Sequence, residues 1–155
     1  MKNRILYLLC LFILTACNPQ YKVIKQKYNY SESITFTVDK IKEWQSIATG
    51  DNYAALIEPK FGKKFVLVFL TIKNEKGQRQ EINYENIYLL DQKTNIKYKV
   101  DKVMKISFIN SNLKHVSNIG SFGTKRRKII FQFPEDKKAQ YLQINERVLE
   151  IKFQK

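Results

Sequence analysis

Phe65-Val66-Leu67-Val68-Phe69-Leu70-Thr71-Ile72 decides the fold of this chain. Its first six side chains are apolar without a break. A run of that kind, covered on both faces, is a central strand. Around it the apolar residues recur at period two rather than 3.6. Ile34, Phe36 and Val38 alternate with Ser33, Thr35, Thr37 and Asp39. Ile41 breaks that register, which predicts a bulge near Asp39-Lys40. Ile87 to Leu90 is a second apolar run, and Ile96, Tyr98 and Val100 alternate with Lys97, Lys99 and Asp101. The polar segment Asp91 to Asn95 joins the two as a hairpin. Ile129, Phe131 and Phe133 form another inward row, ended by Pro134. Leu142 and Ile144 belong to a short strand, Asn145-Glu146-Arg147 to a turn, and Leu149, Ile151 and Phe153 to the last alternating segment. Tyr53 to Glu58 reads as a helical turn or an edge strand, and no amphipathic helix of normal length is present. About seven or eight short strands with polar turns predict an all-β chain, an antiparallel β-sandwich over residues 33–155. Trp44, the only tryptophan, is expected to pack at the end of the first strand.

The head of the chain has a different composition. Lys2 and Arg4 precede the apolar stretch Ile5 to Leu14, and Leu14-Thr15-Ala16-Cys17 follows. The stretch is too short to span a bilayer, which takes roughly 20 residues. With small residues before the cysteine it suits a cleaved signal, residues 1–16. The box resembles the bacterial lipoprotein pattern of leucine, a small or polar residue, alanine or glycine, then cysteine. That resemblance implies lipid attachment at Cys17 and a place in the bacterial cell envelope, anchored to a membrane and facing the periplasm or the outside. Removing 16 of the 155 residues leaves 139, enough for one domain with a real core. Cys10 leaves with the signal and Cys17 takes the lipid, so no thiol remains for a disulfide. Residues 17–32 are polar and basic, with Tyr21, Tyr28 and Tyr30 but no sustained period. They are expected to form a flexible lipidated tether.

Charge is the second bulk property. Losing Lys2 and Arg4 lowers the net charge from +14 to +12. Such a balance suits a nucleic acid, an anionic lipid or an acidic partner. Only Arg4, Arg79, Arg126, Arg127 and Arg147 are arginines, the residue that reads phosphates and base edges with a rigid fork. A lysine-dominated, exported chain points away from nucleic acid and toward an anionic membrane or a polyanionic envelope polymer.

Gly62-Lys63-Lys64, the apolar strand and Lys73-Asn74, then the hairpin Tyr88-Leu89-Leu90-Asp91 to Tyr98-Lys99-Val100-Asp101, then Phe131-Gln132-Phe133-Pro134-Glu135-Asp136, form a series. It resembles a family of bacterial lipoproteins and secreted domains of unknown function, similar to Ig-like secreted immunoprotective antigens. The resemblance spans roughly residues 33–153 and implies an Ig-like sandwich. It is nearly silent on activity. Where that family has Pro-Gly before the penultimate core strand, this chain has Phe122-Gly123-Thr124.

No catalytic set is legible. His115 is the only histidine, and Lys114-His115-Val116-Ser117 lacks the glycines of a nucleophile elbow. A zinc site would need thiolates that are not free. Asp91-Gln92-Lys93-Thr94-Asn95 lacks the further acids and the glycine of a calcium loop. The chain is therefore expected to be no enzyme, with no cofactor and no metal. Two candidate binding features remain. Lys125-Arg126-Arg127-Lys128 is a run of four bases entering a strand, where at most two share a face. Its plain reading is a guard on a sheet edge. The second is the segment Ile106 to Gly123, with Asn110, Asn112, Asn118 and Phe122 as contact residues. The expected function is a non-catalytic binding or accessory module at the envelope, contacting a protein or an envelope polymer. The alternative is an immunity or inhibitor lipoprotein that neutralises a toxin or hydrolase there.

Overall fold

The computed structural model describes residues 20–49, 55–106 and 112–154. Along the chain the strands are β1 (Gln20–Lys22), β2 (Lys27–Asn29), β3 (Ile34–Trp44), β4 (Ile47–Thr49), β5 (Ala55–Ile57), β6 (Lys63–Asn74), β7 (Gln80–Asn83), β8 (Ile87–Asp91), β9 (Ile96–Lys105), β10 (Asn112–Leu113), β11 (Val116–Ile119), β12 (Thr124–Pro134), β13 (Tyr141–Ile144) and β14 (Arg147–Glu150). Each pairing is antiparallel, and the main path runs β1-β3-β6-β12-β9-β8-β13-β14. This is the expected all-β, Ig-like antiparallel β-sandwich. β9 belongs to both layers: Ile96–Lys99 pair with β8, whereas Val100–Lys105 pair with β12.

β6 occupies the centre, flanked by β3 and β12. Val66, Val68, Leu70 and Ile72 face the core between the layers, with Phe36, Ile129, Phe131, Leu89 and Leu142. Phe65, Leu67 and Phe69 point the other way, into a smaller cluster with Ile47, Met104 and Ile130 beneath the β4–β5 hairpin. Both faces of β6 are thus dry, which is why its sequence does not alternate. Trp44 ends β3 and packs on the smaller cluster.

The predicted bulge lies between Val38 and Lys40, where the register against β6 shifts. A bulge reverses which face later residues occupy. Ile34, Phe36 and Val38 face the core, and after the bulge Ile41 does so. Lys40 and Lys42 are turned outward as a result.

Residues 20–32, expected as a flexible tether, are instead built into the sandwich. β1 and β2 pair with β3, and Val23 is buried and bridges to Phe153. The cause is the tyrosines, whose rings can be buried while the hydroxyl finds a partner. Tyr28 stacks on Phe36 at 5.3 Å and donates to the Glu150 carbonyl, and Tyr30 donates to that of Asn83. The folded unit therefore begins by Gln20, not at residue 33. Residues 1–16 and Cys17 lie outside the described residues.

Asn74, the last residue of β6, explains the Lys-Asn ending structurally. It is fully buried, donates to the Gln78 and Gly120 carbonyls at 2.7 and 2.9 Å, and accepts from the Lys76 amide. One side chain thus fastens the turn after β6 to the turn before β12.

Candidate functional site: a basic sheet face

The bulge in β3 and the alternation of β1, β6 and β12 fix which side chains share the outer face of the main sheet. Lys22 lies opposite Lys40, Lys40 opposite Phe69, and Phe69 opposite Lys128. One cross-strand row therefore reads Lys22–Lys40–Phe69–Lys128. The next contains Lys42, Leu67, Ile130 and Lys102. Like charges directly opposite each other are destabilising, yet Lys22 and Lys40 are neighbours. Adjacent strands lie about 4.8 Å apart, so Lys40 and Lys128 flank the Phe69 ring from about 10 Å apart at the backbone. The Lys40 ammonium sits 4.5 Å from the Phe69 ring centre, and that of Lys42 is 5.8 Å from Trp44. Burial, then the charge of Lys42, holds the Lys128 ammonium below the usual lysine range.

Beside this row lies an open groove of about 470 Å³ lined by Lys25, Thr37, Asp39, Lys40, Phe69, Thr71, Ile106 and Arg126. Asp39, the bulge residue, is its one acid. Its carboxylate accepts from the hydroxyls of Thr71 at 2.7 Å and Thr37 at 3.4 Å. Among the described residues, no carboxylate lies within ion-pair distance of Lys22, Lys25, Lys40, Lys42, Lys102, Arg126 or Lys128. Phe69 and Lys128 are themselves buried, so the cations this face offers are Lys22, Lys25 and Arg126, with Lys40, Lys42 and Lys102 half-buried between them.

The run Lys125-Arg126-Arg127-Lys128 is split two and two. Arg126 and Lys128 belong to the outer face, and Lys125 and Arg127 to the inner one. The edge-guard reading is corrected for Arg127 and Lys128, which are buried between β6 and β9; Lys125 and Arg126 pair with β6 alone among the described residues. On the inner side Arg127 Nη1 donates to the Arg126 carbonyl at 2.8 Å, while its buried Nε has no hydrogen-bond partner among the described residues. Lys125 reaches the Asn118 carbonyl. Burial, then Arg127, Arg79 and Lys105, lowers the Lys125 ammonium from its ordinary range. Burial raises the nearby Tyr84 hydroxyl, opposed by its contacts with Ser117 and Arg127.

The segment Ile106 to Gly123 is built of short strands and turns rather than one long loop, and contains β10 and β11. β10 pairs with β9, and β11 with β7. Asn110 lies outside the described residues, and Asn112 is placed only through its backbone in β10. Asn118 joins the inner cluster through its carbonyl, not its amide. Phe122 is exposed at a turn with φ 50° and packs over Gly77. Gly123 leaves no room for a Cβ, which would stand 2.9 Å from the Gly120 carbonyl. His115 is an ordinary partner of Glu85 at 3.4 Å.

Lys22, Lys25, Lys40, Lys42 and Lys102 were not among the residues expected at a site. They are scattered in sequence, and only the pairing of β1, β3, β6, β12 and β9 gathers them. The usable signal was the break at Ile41, which already implied that Lys40 and Lys42 change sides.

No family model matches the chain, and no curated protein matches it in sequence. Solved structures with the same fold exist. A conserved hypothetical protein from Bacillus anthracis superposes with a TM-score of 0.64 at 16% identity, covering 89% of this chain and 99% of that one. An uncharacterized β-sandwich protein from Clostridium difficile superposes with a TM-score of 0.55 at 17% identity, covering 86% and 93%. At such identities the likeness establishes the shared sandwich and nothing of its use.

Proposed function

We propose that this chain is a lipoprotein of the bacterial cell envelope, held by lipid on Cys17. We further propose that it is a non-catalytic binding module whose basic sheet face receives a polyanionic envelope polymer. The observation that carries the binding reading is the row Lys22–Lys40–Phe69–Lys128. It sets three lysines along one line of the sheet with no carboxylate in ion-pair reach among the described residues. Folding gains nothing from that repulsion, so an anion arriving from outside is the group it favours. The resemblance to the immunoprotective-antigen-like family supports the envelope location.

Two measurements test the proposal. Cys17→Ser should move the folded protein from the membrane fraction to the soluble one; retention after a high-salt wash overturns the anchor. The full-length Cys17→Ser protein should bind polyphosphate, used as a model polyanion, with an affinity that falls steeply with salt. Lys40→Gln with Arg126→Gln should weaken that binding roughly tenfold or more. Unchanged affinity in the double variant removes this face from the reading. A pulldown from envelope extract that returns a stoichiometric toxin or hydrolase instead replaces it with the inhibitor reading.

A further inference from the structure

The sandwich has two dissimilar ends, and the one where β6 begins carries an apolar point. Phe61, in the turn before β6, is 106% exposed, and Leu56 on β5 is 70% exposed. Ile96, at the start of β9, is also exposed and lies toward the same end: Val100 pairs with Phe131 and Phe131 with Val66, and Ile96 is four residues farther toward that end, where β9 has turned to pair with β8. Lys60, next to Phe61, and Lys97, next to Ile96, are exposed and line one depression. Lys93 and Lys138, also exposed, line another with Asp136, and the Lys138 ammonium lies over the Phe153 and Tyr21 rings at 4.0 and 5.0 Å. Glu58, Glu135 and Asp136 share this end, and Glu135 is engaged by the Gln45 amide at 3.0 Å. An exposed phenylalanine flanked by lysines has the composition of a surface that enters a headgroup layer: an apolar side chain beneath, ammonium groups at the level of lipid phosphates.

The course of the chain says what covers this end. Gln20 pairs with Lys42, and β1 runs antiparallel to β3, which ends at Trp44 opposite Phe65. β1 therefore enters the sandwich from the Phe61 end. Cys17 is three residues before Gln20 and within about 10 Å of it by covalent reach. We infer that the Phe61 end docks on an anionic bilayer, with Phe61 inserted. The twelve-residue β6 then stands away from the surface, and the turn at Phe122 lies at its far end. This rests on the lipid anchor proposed above.

Tryptophan placement tests it. In a Trp44→Phe background, lipidated Phe61→Trp and Phe122→Trp proteins are reconstituted into phosphatidylglycerol vesicles, with and without brominated acyl chains. Bromolipid should quench Phe61→Trp strongly and leave Phe122→Trp unchanged. Equal quenching at the two sites, or none at either, overturns the docking. Failure of the anchor reads differently: the protein lacks the lipid mass on Cys17 and does not fractionate with vesicles. As an independent arm, the full-length Cys17→Ser protein should bind these vesicles, and Phe61→Ala should weaken that binding about tenfold with unchanged thermal stability. Binding unaffected by Phe61→Ala also overturns it.

Discussion

Replacing Arg127 with methionine should make this protein more stable. The side chain is buried, and its Nε has no hydrogen-bond partner among the described residues. A buried donor left unsatisfied costs about 1–3 kcal/mol. Against that stand the bond from Nη1 to the Arg126 carbonyl at 2.8 Å, of which about 0.5–1.5 kcal/mol is net stabilisation, and a contact with the Tyr84 hydroxyl, which keeps its bond to Ser117 when Arg127 is replaced. The aliphatic stem of arginine also packs, and methionine keeps most of that contact with a flexible chain. The balance is a gain of about 0–2 kcal/mol for Arg127→Met. For a domain of this size each kcal/mol raises Tm by roughly 3–6 °C. Urea unfolding followed by Trp44 fluorescence and circular dichroism measures the change directly. Arg127→Ala, which also empties the stem volume, should be less stable than Arg127→Met. A loss of about 1 kcal/mol or more in Arg127→Met refutes the reasoning, because the guanidinium would then hold the fold together rather than burden it.

The Lys64–Glu43 pair gives the opposite sign. Its groups meet at 2.9 Å with side-chain exposures of 10% and 7%. Glu43→Ala strands the ammonium and should cost about 3–5 kcal/mol in denaturant unfolding, most of it recovered when Lys64→Met is added. A cost below about 1 kcal/mol shows that water reaches the pair. Asp91 supplies a pH dependence: Lys137, then Thr94, holds its carboxyl down to about 2 from an ordinary 3.8. Because the folded value is the lower one, the stabilisation is complete above about pH 4 and disappears as pH falls toward about 2. Asp91→Asn should flatten the acid limb of a circular-dichroism titration in that window, leaving the similar limb from Glu75, which Lys27 and Lys73 hold at about 2. An unchanged acid limb in Asp91→Asn would refute the assignment.

What could be read in the sequence was whatever local alternation decides. Phe65 to Ile72 announced a strand buried on both sides, Ile41 announced the bulge, and Asp91 to Asn95 announced the β8–β9 hairpin. What could not be read was what depends on a distant partner. Tyr21, Val23 and Tyr28 show no period of their own, because their environment is supplied by β3 and by Glu150 and Phe153 at the other end of the chain. The four bases at 125–128 looked like an edge guard because nothing local says that β12 is paired on both sides from Arg127 onward. The basic face is less legible still, since its members come from five strands.

The seating of β1 also has a mechanical meaning. Gln20, Tyr21 and Lys22 pair with Lys42, Ile41 and Lys40, and just beyond them the Ile24 amide donates to the Lys152 carbonyl and the Gln154 amide to that of Lys22. Antiparallel hydrogen bonds lie perpendicular to their strands. A pull applied through residue 17, along the axis of β1, therefore loads these bonds together in shear instead of opening them one after another. A domain tugged away from its anchor by a bound polymer would meet that resistance first, and the C-terminal segment at Lys152–Gln154 shares the load.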